Sequence, residues 1–252
     1  MFTLLKRINP ESLTINYTYD ANSNLKTKQD ARLITTTYNY DALNRVTSRT
    51  YTGDSQNTPA VSYVYDSQAL PTGAPSGFNR GASVGRLVAV NYAGGSAGSY
   101  SGYDVLGRVS TSVQQTDGQN YGFTYAYNLA GMMTTETYPS GRQITNAYNA
   151  AGRLSSLNGQ KTGEANKTYA SQFSYTAHDA VASMLLGNGK VEHTSFNSRL
   201  QPTLIGLGTS TTDSSTLKLD YTYGSTANNG NVQSQTITIG ARCFSWVVAF
   251  ER

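Results

Sequence analysis

The chain has 252 residues, 38% hydrophobic, 11% aromatic and only 13% charged, with a formal charge of +4 and a pI near 9.0. That apolar and aromatic content excludes a solvated disordered tail, and 19 tyrosines against 7 phenylalanines and 1 tryptophan favour half-buried strands over a helical bundle. The single cysteine, Cys243, excludes an internal disulfide framework and a multi-thiolate zinc site.

At the N-terminus, Met1-Phe2-Thr3-Leu4-Leu5-Lys6-Arg7 lacks the apolar stretch that a secretory signal needs, so no signal peptide is visible. No run approaches the roughly 18 apolar residues of a membrane-spanning helix. Lys6-Arg7 is the one adjacent basic pair, and the scattered lysines and arginines read as a solvated surface rather than a nucleic-acid patch.

From residue 17 a repeat appears: aromatic, any residue, aromatic, then Asp or Asn. Clear copies are Tyr17-Thr18-Tyr19-Asp20, Tyr38-Asn39-Tyr40-Asp41, Tyr63-Val64-Tyr65-Asp66 and Tyr125-Ala126-Tyr127-Asn128. Degenerate copies carry Tyr103-Asp104, Tyr148-Asn149, Phe173 with Tyr175, Phe196-Asn197 and Tyr221 with Tyr223. The second aromatics fall at 19, 40, 65, 103, 127, 148, 175, 196 and 223. The array is assigned to 17–240, about nine copies, with a lead-in over 1–16 and an atypical tail over 241–252.

A turn follows each pair, as in Asp104-Val105-Leu106-Gly107, Asn128-Leu129-Ala130-Gly131 and Asn149-Ala150-Ala151-Gly152. The Asp or Asn side chain folds back onto the amide two residues on, and the Gly accepts positive φ. Asn44 replaces that Gly in the copy from Asp41, being the next most tolerant residue. Aromatics at i and i+2 share one strand face, and Leu25, Val46, Val109 and Leu154 open the next strand. Each copy is then one β-hairpin, with its Tyr pair laid against those of neighbouring hairpins.

Residues 67–85 and 93–102, rich in Gly, Pro and Ser, read as loops around a short strand from Arg86 to Tyr92. Residues 206–216 read as a long hairpin tip. The tail shows neither alternation nor a turn, which suggests that the sequence departs from the repeat near Gly240.

Two Gly-x-Ser-x-Gly strings place Ser83 and Ser96, and the order Ser, Asp179, His193 imitates a hydrolase triad on paper. Neither string has the strand-to-helix context of a nucleophile elbow, so no catalytic residue is assigned. His178 and His193 are 15 residues apart with no acidic cluster flanking them, so no metal site and no cofactor is assigned. The repeat aspartates read as turn caps rather than calcium ligands.

The unit Tyr-x-Tyr-Asp-x-x-Gly-Arg-Leu/Val resembles the YD repeat of bacterial Rhs proteins and animal teneurins, from Tyr17 to about Asn231. The resemblance implies an all-β fold of antiparallel hairpins in a curved, spiralling sheet, a partial shell. It implies a non-catalytic, secreted or surface-associated structural role that encloses or displays a toxin or other domain. The alternative is an adhesin-like module that binds glycans or a surface protein through exposed Tyr rows. The implied partners are the rest of such an array or an enclosed toxin domain, and self-association is expected of the isolated chain through its terminal strands.

If the tyrosines carry the array, Tyr127→Ala costs about 3 kcal/mol or more in denaturant unfolding. A loss under about 0.5 kcal/mol would reduce Tyr127 to surface decoration.

Overall fold

The structure, a computed structural model, describes residues 6–9, 13–92, 97–224 and 228–247. Within them it is all-β and antiparallel, in two compact units, Met1–Tyr125 and Ala126–Arg252. The first unit contains β1 (Lys6–Asn9), β2 (Leu13–Tyr19), β3 (Leu25–Gln29), β4 (Thr35–Tyr40) and β5 (Val46–Thr52). It continues through β6 (Val61–Tyr65), β7 (Leu87–Tyr92), β8 (Ala97–Tyr103), β9 (Val109–Thr116) and the greater part of β10 (Gln119–Tyr127). Each strand pairs with the next in sequence, so the unit is a meander.

The second unit repeats the plan with β11 (Met133–Thr137), β12 (Gln143–Tyr148), β13 (Leu154–Gln160), β14 (Lys167–Tyr175) and β15 (Val181–Leu186). It ends with β16 (Val191–Phe196), β17 (Pro202–Gly208), β18 (Leu217–Tyr223), β19 (Val232–Ile239) and β20 (Arg242–Val247). Here too sequential strands pair. As the spacing required, Leu25, Val46, Val109 and Leu154 each open a strand.

The two faces of these sheets differ because the repeat alternates. On one lie the motif aromatics. On the other the residue between them pairs with a hydroxyl across the hairpin: Thr18 with Thr27 at 2.6 Å, Asn39 with Ser48 at 2.8 Å, Ser174 with Ser183 at 2.6 Å and Thr222 with Ser234 at 2.5 Å. Such cross-strand pairs stabilise a sheet by a few tenths of a kcal/mol to about 1 kcal/mol each.

Two stretches read as loop or as aperiodic tail form strands instead. Residues 97–103 form β8 rather than a loop, with 93–96 outside the described residues. The described part of the tail forms β20, joined to β19 by a two-residue turn in which Gly240 has φ 55°. A short turn with one flexible glycine leaves little mark on a sequence pattern, whereas the backbone pairing from Ile239↔Arg242 to Ser234↔Val247 is regular. Residues 248–252 lie outside the described residues.

The segment 67–85 is a loop, as the sequence reading has it, and it folds back over the hydroxyl face of the first unit and closes its core. Val64, Ala89, Tyr100 and Val113 form one cross-strand row. Leu70, Ala74 and Phe78 from the segment pack on this row, with the Phe78 ring 5.7 Å from that of Tyr100. Tyr100 is fully buried, and its hydroxyl accepts a 3.0 Å hydrogen bond from Asn91 Nδ2. Gln115 donates to the Gly73 carbonyl at 2.8 Å, tying the segment to β9. Glycine is required at 102, where any side chain would run into the Asn79 carbonyl.

Phe78→Ala therefore removes the lid of that core and costs about 3 kcal/mol or more in urea unfolding, with faster proteolysis within 67–85. A cost under about 0.5 kcal/mol would show the segment to be an accessory loop.

Candidate functional site

The recurring chemistry lies at the motif turns, which in a meander all fall on one edge of each unit. At Asp41 the carbonyl accepts from Asn44 N–H at 3.0 Å and the amide donates to the Arg45 carbonyl at 2.9 Å. This is a type I turn closed by a residue in the left-handed region, with φ 59° at Asn44. Oδ1 of Asp41 accepts the amides of Leu43 and Arg45, both at 2.9 Å. The same backbone pattern recurs at 20–24, 104–108, 128–132, 149–153, 176–180 and 197–201. Gly107, Gly131 and Gly152 supply the positive φ as expected, and Ser23, Asp179 and Leu200 supply it elsewhere.

A register shift accompanies the second aromatic of the pair, at Tyr19, Tyr40, Tyr65, Tyr103, Tyr148, Phe196 and Tyr223 among others. The bulge bends the strand and re-aims its side chain. Between consecutive copies the ladder stops two residues short of the turn: at Thr27↔Thr37, Ala89↔Tyr100, Thr135↔Thr145, Ser156↔Ser171 and Leu204↔Asp220. The second tyrosine fills that gap by donating to the carbonyl that opens the preceding copy's strand. Tyr40 reaches Leu25 at 2.8 Å, Tyr103 reaches Leu87 at 2.6 Å, Tyr148 reaches Met133 at 2.6 Å, Tyr175 reaches Leu154 at 2.7 Å and Tyr223 reaches Pro202 at 3.0 Å.

Arginine makes the second tie. Arg45 lies over the Tyr65 ring at 4.4 Å, Arg86 over Tyr103 at 5.2 Å and Arg153 over Tyr175 at 5.1 Å. Arg45 also bridges two turns, with Asp41 at 2.7 Å and Asp66 at 2.8 Å, and Arg153 reaches Asp179 at 3.0 Å. Where arginine is missing, amides do the same: Asn24 donates to Asn44 at 2.8 Å, and Gln201 and Asn228 exchange bonds at 3.0 and 2.8 Å. The tyrosines and aspartates of the repeat stand out in the sequence. The arginine four residues after the acid was visible in the unit, but its reach to the following copy was not.

At Tyr65 the turn is opened by the 67–85 segment, yet the Asp66 amide still meets the Arg86 carbonyl at 3.0 Å. Ser83 is buried there and donates to the Asp66 carbonyl at 2.9 Å. Asp179 pairs with Arg153, and buried His193 meets Ser214 at 3.2 Å beneath the 209–216 tip. Each of these groups thus has a structural partner of its own, and Ser96 lies outside the described residues. His178 packs edge-on against Phe196 at 4.9 Å. Among the described residues no three His, Cys, Asp or Glu side chains gather as a metal site.

The Teneurin YD-shell family model matches residues 3–245. The chain belongs to the YD-shell family. The YD shell is a structural shell fold, and the fold of this member matches that of several solved structures. TcdB2-TccC3 aligns with TM-score 0.72 and 15% identity over 94% of this chain and 12% of its own. The complex TcdB2-TccC3-Cdc42 gives the same values. The Photorhabdus luminescens Tc holotoxin pore gives TM-score 0.72 and 14% identity over 94% of this chain and 12% of its own. This YD-shell chain thus spans about an eighth of the length of those structures. No curated protein matches it.

The turn carboxylates titrate with the fold. The Arg45 amide, with the guanidinium adding, holds Asp41 below the usual carboxylate range, and the Arg45 side chain does so for Asp66. A depressed folded pKa gives stability that is present above about pH 4 and lost as pH falls below it. The melting temperature should therefore stay level from about pH 7 to 5 and drop toward pH 3. In the double variant Asp41→Asn, Asp66→Asn the drop should be shallower, since Asn holds this turn at Asn149 and Asn197. Equal slopes in both proteins would remove the turn charges from the acid response.

Proposed function

We propose that the chain is a stretch of wall: a non-catalytic, Rhs-type shell segment that acts outside the cell and encloses or displays another polypeptide. The observation that carries this reading is the clamp that recurs between neighbouring hairpins within each unit, phenol to carbonyl and arginine to tyrosine. Such nearest-neighbour ties let an array grow by addition without any residue being reserved for chemistry. The Tc structures it resembles are named for complexes of TcdB2 and TccC3, one of them described as lacking a hypervariable C-terminal region. That naming supports a wall built around a variable passenger.

The glycan reading finds less support in the geometry. Sugar stacking needs open ring faces, and the guanidinium groups of Arg45, Arg86 and Arg153 lie over those of Tyr65, Tyr103 and Tyr175.

Protease digestion of the native full-length gene product tests the proposal. Sequence encoded beyond the array should stay intact while the array is folded, and become cleavable at the pH where the array melts. Immediate cleavage of that sequence from a folded array would overturn the enclosing role.

A further inference from the structure

Within residues 13–125 every acidic residue lies outside the strands, at a turn or loop, and the strands themselves carry only cations, Lys26, Lys28 and Arg49. Register places two of these cations on the aromatic face. Tyr17, Lys28, Thr36 and Tyr51 form one cross-strand row, and Tyr38, Arg49, Val61 and Tyr92 form the next. Arg49 lies 5.5 Å over the Tyr51 ring, and its Nε is buried without a hydrogen-bond partner. No carboxylate lies within ion-pair distance of Lys28 or Arg49 among the described residues. The Tyr38 phenol is raised by burial, opposed by Arg49 and reinforced by Tyr51, Tyr63 and Tyr17, so these groups share one cluster.

Beside Tyr51, Lys28 also lines a groove of about 270 Å³ that runs to the opposite edge of the unit. The acids there, Asp30 and Asp54, are occupied. Asp30 accepts from Arg32 at 2.7 Å and from the Ile34 amide at 3.1 Å, while Asp54 accepts the amides of Gln56 at 3.0 Å and Thr58 at 2.9 Å.

We propose that this patch, centred on Arg49 and Lys28 and bordered by Tyr38 and Tyr51, takes the carboxylates of an acidic polypeptide held against the aromatic face. The inference rests on the enclosing role argued above and names the chemistry of what is enclosed. Charge complementarity identifies the partner: a half-buried guanidinium without a carboxylate is suited to a planar anion. Spacing favours a polypeptide. Lys28 on β3 and Arg49 on β5 stand two strands and one row apart, roughly 12 Å between backbones, a span that the side chains at i and i+4 of an extended chain, roughly 13.6 Å apart, can bridge. An acidic polysaccharide would need the Tyr51 face that Arg49 occupies.

Fluorescence anisotropy of a fluorescein-labelled poly-glutamate peptide, titrated with the whole chain at low salt, tests the proposal. Binding should saturate, fade as salt is raised, weaken at least about tenfold in Arg49→Gln and recover in large part in Arg49→Lys. Lys190→Gln, in the second unit, should leave it unchanged, and the far-ultraviolet strand spectrum should be the same in all four proteins. Absence of saturable binding, equal binding by Arg49→Gln, or binding of polygalacturonate in preference to poly-glutamate would each overturn it. Loss of poly-glutamate binding with intact protease protection would reject the acidic passenger alone, whereas loss of protection would reject the shell role itself.

Discussion

The carbonyl that opens the strand after each motif turn is the group around which the repeat is organised. A backbone carbonyl shut away from water must find a donor or cost about 1–3 kcal/mol. Here the ladder to the next copy ends two residues early, because a bulge twists the strand just before its turn. Backbone pairing therefore cannot supply the donor. Tyrosine can, since it is rigid, long enough to cross one strand spacing, and ends in a hydroxyl. That explains why the second motif position holds tyrosine in preference to phenylalanine.

The turn follows from the same constraint. Splayed strands must be rejoined by a reversal that is stable by itself, and an Asp or Asn that accepts two amides while the fourth residue turns left-handed provides one. Its second oxygen is then free for arginine, and arginine at that position lies over the next copy's tyrosine. Three residue types thus settle the angle, the closure and the connection to the neighbour. The consequence is a sheet held locally at every step, with little need for a deep core. The first unit departs from this where the 67–85 segment covers Val64, Ala89 and Tyr100. The motif there is interrupted, so a covered core takes over part of what a closed turn does elsewhere.

Much of this was readable in the residues because the motif joins a period of two to a turn with defined chemistry. The strands opening at Leu25, Val46, Val109 and Leu154 and the left-handed Asn44 follow from that pairing alone. The turns at Asp30 and Asp54 use the same side-chain capping but lack a preceding aromatic pair, so they were not distinguished from ordinary surface sequence. Leu33, with φ 66°, hides its turn further, since leucine is not a residue expected there. The 67–85 segment is legible as a loop from its Gly and Pro, but its packing on the core is not, because Leu70, Ala74 and Phe78 are spaced too irregularly to show a face. The ties between copies, such as Arg45 to Asp66, depend on which strands become neighbours and on where the bulges fall, and neither is written in local sequence.

Arginine over tyrosine also decides what the aromatic face can be. A bare row of phenol rings on a flat sheet offers apolar platforms and invites association with any planar partner. With guanidinium groups lying on the rings and the hydroxyls turned to carbonyls, the face presents charge and ring edges instead. In the first unit, acids are kept at the turns, where Asp41 and Asp66 neutralise Arg45, and are kept out of the strands, where Arg49 has no such neighbour. The sheet of the first unit is therefore neutralised at its edge and cationic at its centre. A wall with that distribution is held together at its rim by its own carboxylates while leaving its middle available for those of another chain.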